Sequence, residues 1–421
     1  MFKKTTLKNG LRIITVPQKN TQAVTILVLV GTGSKYETKE INGISHFLEH
    51  MYFKGTKKRP STISIAETLD KVGGIFNAFT AEDYTGYFAK VAISHFELAL
   101  DWVSDIFLNS ILPEKEIEKE RGVIIEEINM LSDNPMIYVQ ILWPKLLYGD
   151  QPAGWPITGS KENILKMSRK DLLSYRKKQY VAENTIVTIA GNIKSDLVEN
   201  RVKKYFSKIN VQRPPPKLKV VEKQNSPNLL LYPKETDQTH LCLGVRGYNL
   251  FHPKRYVQEL LGVILGGMMS SRLFEEIRTK LGIAYYITTS VDSDPDTGYL
   301  VTSAGIDNKK IDQGISAILK EYKRITQKKV PQEELKKAKD CIKGKTTLLL
   351  ESSDALASFY AGQELLEKRI LTPDEIFAKI DKVTANDIQE LARDIFQPQK
   401  LNLALIGPFK DKSKFQRLLK L

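Results

Sequence analysis

A chain of 421 residues, 42% hydrophobic and 27% charged, holds apolar material for two or more packed domains, and no run in it approaches the ~20 apolar residues of a membrane-spanning helix. Two isolated cysteines, Cys242 and Cys341, exclude a disulfide framework and fit a reducing cytoplasm, and residues 1–10 carry no signal-peptide core. The net charge of +14 lies in scattered pairs and triplets such as Lys57-Lys58-Arg59, with no zinc-finger or RNA-binding signature, so neither nucleic acid nor membrane is expected as a partner.

Residues 11–16 and 25–30 are rich in β-branched and aliphatic side chains and read as strands. The next stretch, Gly43 to Met51, has no proline and mixes apolar with polar positions, which predicts a helix. His46 and His50 are four apart there, so both imidazoles share one face and reach one ion. Glu49, three after His46, touches a water on that ion without being a ligand itself. Neutral imidazole suits Zn²⁺, and a catalytic zinc keeps one position open for water. The plainer alternative is two ordinary histidines on an amphipathic helix. Two histidines are also too few for a stable hydrolytic site, so a third ligand must come from elsewhere.

A second helix is predicted over 61–72, closed by Gly73-Gly74. Strands follow at 76–80 and 85–91, and an amphipathic helix at 94–108. Another helix starts near Pro113, a good first-turn residue, and runs through Met130. Helices near 136–147 and 169–179 precede a strand over 184–190, stopped by Gly191-Asn192, and a helix near 196–206. Pro214-Pro215-Pro216 then breaks the pattern, because consecutive prolines favour a stiff extended linker. The expected division is a domain over 1–210, a linker over 211–224 and a second domain over 225–421.

The second half repeats the first. Pro17 and Gln22 match Pro233 and Gln238, and Gly191 matches Gly407, all at an offset of 216. Thr85-Gly86-Tyr87 matches Thr297-Gly298-Tyr299 at 212, which implies a short deletion in between. The offset of 216 carries His46 and His50 onto Gly262 and Gly266, so only the first copy holds this metal motif. In the helix after Pro113, Glu120 and Glu127 are seven apart and share a face that can look at the histidines. Acidic helices are usually just solvated faces, and that alternative stands beside the functional one.

The chain resembles the pitrilysin and insulysin family of inverted zinc peptidases, closest to the branch of mitochondrial processing peptidase and its small bacterial relatives. The marks are His46-Phe47-Leu48-Glu49-His50 followed by Met51-Tyr52-Phe53-Lys54-Gly55-Thr56, then Gly73-Gly74-Ile75-Phe76-Asn77-Ala78-Phe79-Thr80, then Val123-Ile124-Ile125-Glu126-Glu127. The resemblance spans essentially the whole chain. It implies an α+β fold of two duplicated domains, each a mainly antiparallel sheet packed with helices, closing as a clam-shell around a chamber. It implies one Zn²⁺ on His46, His50 and a glutamate 76 or 77 residues past the second histidine. Glu126 and Glu127 lie at those distances, and the family's earlier acid, two turns before, matches Glu120 and selects Glu127. Glu120 then supports the site, Asn77 bonds substrate backbone, and Arg278 and Tyr285, seven apart, contact the substrate carbonyl. One departure is Asp83, where relatives commonly carry Glu, and no role is assigned to it.

The function these residues imply is a zinc metalloendopeptidase that hydrolyses short or unfolded peptides, with Glu49 as general base. Monomer and homodimer both stay open. The alternative is a non-catalytic structural or substrate-presenting subunit of the same fold, although relatives with that role have usually lost the metal motif.

Overall fold

The computed structural model describes residues 2–421. The chain folds into two compact units, each built on one sheet. The first comprises Met1–Asn129, Trp155–Leu218 and Leu348–Ile370. The second comprises Met130–Gly154, Lys219–Thr347 and Leu371–Leu421.

The first sheet holds β1 (Lys3–Thr6), β2 (Arg12–Pro17), β3 (Ala23–Val30), β4 (Ile75–Thr80), β5 (Thr85–Ala92) and β6 (Thr185–Gly191), in the order β1-β2-β6-β3-β5-β4. Only β2 and β6 run parallel. The second sheet holds β7 (Asn228–Pro233), β8 (Gln238–Arg246), β9 (Ala284–Ser293), β10 (Gly298–Asp307) and β11 (Leu401–Gly407), in the order β7-β11-β8-β10-β9. Again one neighbouring pair, β7 and β11, is parallel. Strand for strand the orders correspond, with β1 added to the first sheet. This is the duplication that the repeated spacings imply, and a mixed α/β fold with helices packed on two sheets.

The strand Ala23–Val30 is apolar except for the buried Thr25, and both of its faces are covered. Val24, Ile26, Val28 and Val30 pack with Phe47, Leu48, Trp102 and Val103 on one side. Leu27 and Leu29 point the other way, with Ile14 and Val16, onto Ala357, Tyr360, Ala361 and Leu365. This is the two-residue alternation of a strand, with a helix layer on each side. Each such side chain contributes roughly 1.5–3 kcal/mol on burial. In the second unit Leu241, Leu243 and Val245 face Leu260, Leu261 and Ile264, while Cys242, Ala404 and Ile406 face Val139, Leu142 and Trp143.

The division into contiguous stretches 1–210 and 225–421 therefore needs correction. The helix Pro135–Tyr148, from the first repeat, covers the second sheet, and the helix Ser353–Leu366, from the second repeat, covers the first. Their starts differ by 353 − 135 = 218, so equivalent helices of the two repeats have changed places. The physical reason is that each sheet is apolar on both faces, and its own repeat supplies the cover for one of them. The proline stretch is not a free tether over its whole length either. Residues up to Leu218 belong with the first unit, where Lys217 pairs with the buried Asp83, which also holds the buried Lys35 at 3.1 Å.

No helix among the described residues is long and apolar enough to cross a membrane.

Candidate metal centre

The helix Ile44–Met51 starts at Gly43, whose backbone has φ +100°, and a Cβ there would meet the Thr158 carbonyl oxygen at 2.7 Å. Only glycine fits such a start. From it the helix buries Ile44, Phe47, Leu48 and Met51 against the first sheet and turns His46 and His50 to one side. The acidic helix Glu114–Asp133 faces inward along Ile117, Glu120 and Ile124, and Glu127 continues that stripe at the next turn.

The two helices bring three ligand-type groups together. His46 Nε2 and His50 Nε2 are 3.3 Å apart. Glu127 Oε1 lies 3.6 Å from the first and Glu127 Oε2 lies 3.5 Å from the second. Among the described residues, this is the one group of three whose ligand atoms all lie within 4.8 Å of one another. Glu126 points away and is exposed. Converging lone pairs of two imidazoles and a carboxylate repel one another unless a proton or cation lies among them, and this nitrogen–oxygen donor set suits Zn²⁺. The residues present thus fit a zinc ion.

Glu120 is 5% exposed and stands behind His50. Its Oε1 meets His50 Nδ1 at 2.9 Å, and its Oε2 meets Lys54 Nζ at 2.6 Å. Burial pushes the Glu120 carboxyl up, but the bonds with His50 and Lys54 outweigh it and leave the group below the usual carboxylate range. The Glu127 carboxyl is also lowered, chiefly by its pairing with His46, against some burial.

Glu49 Oε2 accepts the Thr80 hydroxyl at 2.6 Å. Thr80 ends β4, which pairs only with β5 and so leaves one edge of the sheet open. Asn77 lies exposed on the same strand, and its side-chain oxygen accepts from Ala78 N at 2.9 Å. Arg278 and Tyr285 belong to the second unit. Arg278 is on the turn Phe274–Lys280, a π-helical stretch, with its guanidinium 4.9 Å from the Phe274 ring centroid. Tyr285 stands on β9 and is 74% exposed.

The second unit has no room for the motif at the repeat-equivalent place. A Cβ on Gly262 would meet Val291 Cγ2 at 2.9 Å, and one on Gly266 would run into Thr289. The helix Arg255–Gly266 lies directly on β9 through these glycines.

Three contributors escaped the sequence reading. Lys54 follows His50 by four positions, a spacing that puts it near the same acid. Thr80 closes a stretch already singled out, but its hydroxyl's target is set by tertiary packing. Glu37 accepts hydrogen bonds from the start of the histidine helix, and burial pushes its carboxyl up to about 7 against the pull of those donors.

Residues 12–160 match the family model described as Insulinase (Peptidase family M16), and residues 166–341 match that described as Peptidase M16 inactive domain. A Bacillus subtilis protein named an uncharacterized zinc protease is 37% identical over 408 residues, covering 97% of this chain and 98% of that one. A Streptomyces coelicolor protein of the same description is 32% identical, covering 97% and 90%. Among solved structures, a protease from Helicobacter pylori superposes with a TM-score of 0.90 at 24% identity, covering 97% of this chain and 99% of that one. A Pseudomonas fluorescens structure described as a peptidase M16 inactive domain gives 0.89 at 16% identity, covering 97% and 98%. At these identities the two structures speak to the fold.

Proposed function

This chain belongs to the insulinase (M16) family of peptidases, and on that premise we propose that it is a zinc metalloendopeptidase that hydrolyses short or unfolded peptides. The observation that carries the reading is the convergence of His46, His50 and Glu127 beside a glutamate, Glu49, that is tied to an open sheet edge.

His46 Nε2, His50 Nε2 and the Glu127 carboxylate would hold the zinc. When bound, zinc supplies a Lewis acid for the scissile carbonyl and brings the pKa of a water down toward neutrality. Glu120 keeps the proton of His50 on Nδ1, which leaves Nε2 free as a lone-pair donor. The Thr80 hydroxyl occupies Glu49 Oε2, so Oε1 is the oxygen that takes the proton from water and later passes it to the leaving amine. A peptide added as a strand on the open edge of β4 would gain main-chain hydrogen bonds and run past Glu49, with Asn77 on the same strand as a backbone partner. Such binding reads backbone more than sequence and requires an extended segment, hence the preference for unfolded peptides. Arg278 and Tyr285 are proposed, on the resemblance alone, as donors to the carbonyl oxygen as negative charge develops on it.

The test is digestion of a pool of unstructured peptides, with products read by mass spectrometry, before and after zinc is stripped by a chelator and restored. Cleavage that disappears with zinc and returns with it is expected. A purified chain that takes up zinc and cleaves no peptide would instead support a structural or substrate-presenting role.

A further inference from the structure

The two ligand histidines are oriented by different means. His50 has the Glu120 carboxylate on its Nδ1 at 2.9 Å. His46 Nδ1 is buried and meets no hydrogen-bond partner among the described residues. Its Nε2 faces His50 and Glu127 in the ligand cluster, so behind the cluster the direction of the His46 ring is set by its backbone and packing. His46 is the third residue of its helix, so its backbone belongs to the first turn.

That first turn is where a helix is least self-supporting, because its leading N–H groups have no partner inside the helix. A side-chain cap normally comes from the residue just before the helix, but here that residue is Gly43, which has no side chain to offer. The cap arrives instead from Glu37, six residues earlier and 2% exposed. Glu37 Oε2 accepts from Gly43 N at 2.8 Å and from Asn42 Nδ2 at 2.9 Å. Glu37 Oε1 accepts from Ser45 N at 2.9 Å. One carboxylate thus spans the turn and meets the positive end of the helix dipole. A second chain of bonds pins the same turn from its other side: Ser45 Oγ lies 2.9 Å from Tyr175 Oη, which lies 2.7 Å from Thr32 Oγ1.

We infer that Glu37 is the positioning residue for His46: its buried carboxylate fixes the first turn of the ligand helix and so aims a histidine whose Nδ1 has no orienting partner. The inference rests on the zinc reading given above. Glutamine cannot replace the carboxylate, because one of its two polar atoms is a donor and would face N–H groups.

The test measures the zinc dissociation constant of the full-length chain at pH 8, by competition with a chelating dye, for wild type, Glu37→Gln, Asn42→Ala and Ser61→Ala. Ser61 caps the neighbouring helix Thr62–Asp70, which carries no ligand, so Ser61→Ala reports the effect of losing a cap and nothing more. Glu37→Gln is expected to weaken zinc binding by about 10–100-fold, the range for loss of a group that supports a ligand. At saturating zinc it should lower kcat for peptide cleavage and leave KM near wild type, while Ser61→Ala changes neither zinc binding nor kcat. A folded Glu37→Gln chain with wild-type zinc affinity and kcat overturns the inference. Should Glu37→Gln not fold, Asn42→Ala, which removes one donor from the same carboxylate, is expected to weaken zinc binding by about threefold or more. Unchanged binding there overturns the inference equally. A wild-type chain that takes up no zinc overturns the metal reading and this inference with it. A zinc-binding wild type beside an indifferent Glu37→Gln overturns only the inference.

Discussion

Replacing Glu120 by glutamine tests how the site holds His50. The carboxylate serves two donors at once, His50 Nδ1 at 2.9 Å and Lys54 Nζ at 2.6 Å, and it does so almost wholly buried. Glutamine keeps the shape but offers one acceptor oxygen for two donors. If that oxygen stays with His50, the amide nitrogen is driven against the lysine ammonium. If it turns to Lys54, the amide N–H₂ faces His50 Nδ1 and favours the tautomer with its proton on Nε2, which must shed that proton before it can bind a metal. Either way one hydrogen bond to a charged or ligand group is lost, a change of about 1.5–3 kcal/mol. At ~1.4 kcal/mol per decade this corresponds to a zinc affinity lower by roughly 10–150-fold, in line with the 10–100-fold typical of such supporting groups. Dye competition gives the dissociation constant directly, and circular dichroism with a thermal melt checks that the chain is folded. A folded Glu120→Gln chain with zinc affinity within about threefold of wild type would refute the supporting role.

Glu127→Gln should weaken zinc binding strongly, whereas Glu126→Gln should leave it unchanged, because only Glu127 reaches the histidines; the same titration separates them. Lys368→Gly should stabilise the chain by roughly 0.5–1 kcal/mol in a urea melt, since an exposed lysine at φ +56° just past the helix Ser353–Leu366 holds a left-handed backbone that suits glycine.

Much of the fold was legible because its signals are local. The aliphatic run Ile26–Val30 announces a strand, and the offset of 216 between Gly191 and Gly407 announces the second sheet. The histidine pair is legible for the same reason, since four residues of helix bring its members together without help. Glu120 and Glu127 are a step harder: their helical stripe with Ile117 and Ile124 is readable, but what that stripe faces is a tertiary matter. The exchange of Pro135–Tyr148 with Ser353–Leu366 left no local trace, because both helices carry the apolar side chains that either sheet would accept. Glu37 was invisible for another reason. Its partners are backbone N–H groups, which every residue carries, so nothing in the residue types marks it as a cap.

The central claim is that Glu49 moves the proton while His46, His50 and Glu127 hold the zinc. Glu49→Gln keeps all three ligands and the Thr80 contact but removes the base. The direct measurement is zinc content and kcat on one preparation of this variant beside wild type. One zinc per chain is expected in both, with kcat lower by about 10²–10⁴-fold in the variant. Near-wild-type turnover by zinc-loaded Glu49→Gln would contradict it.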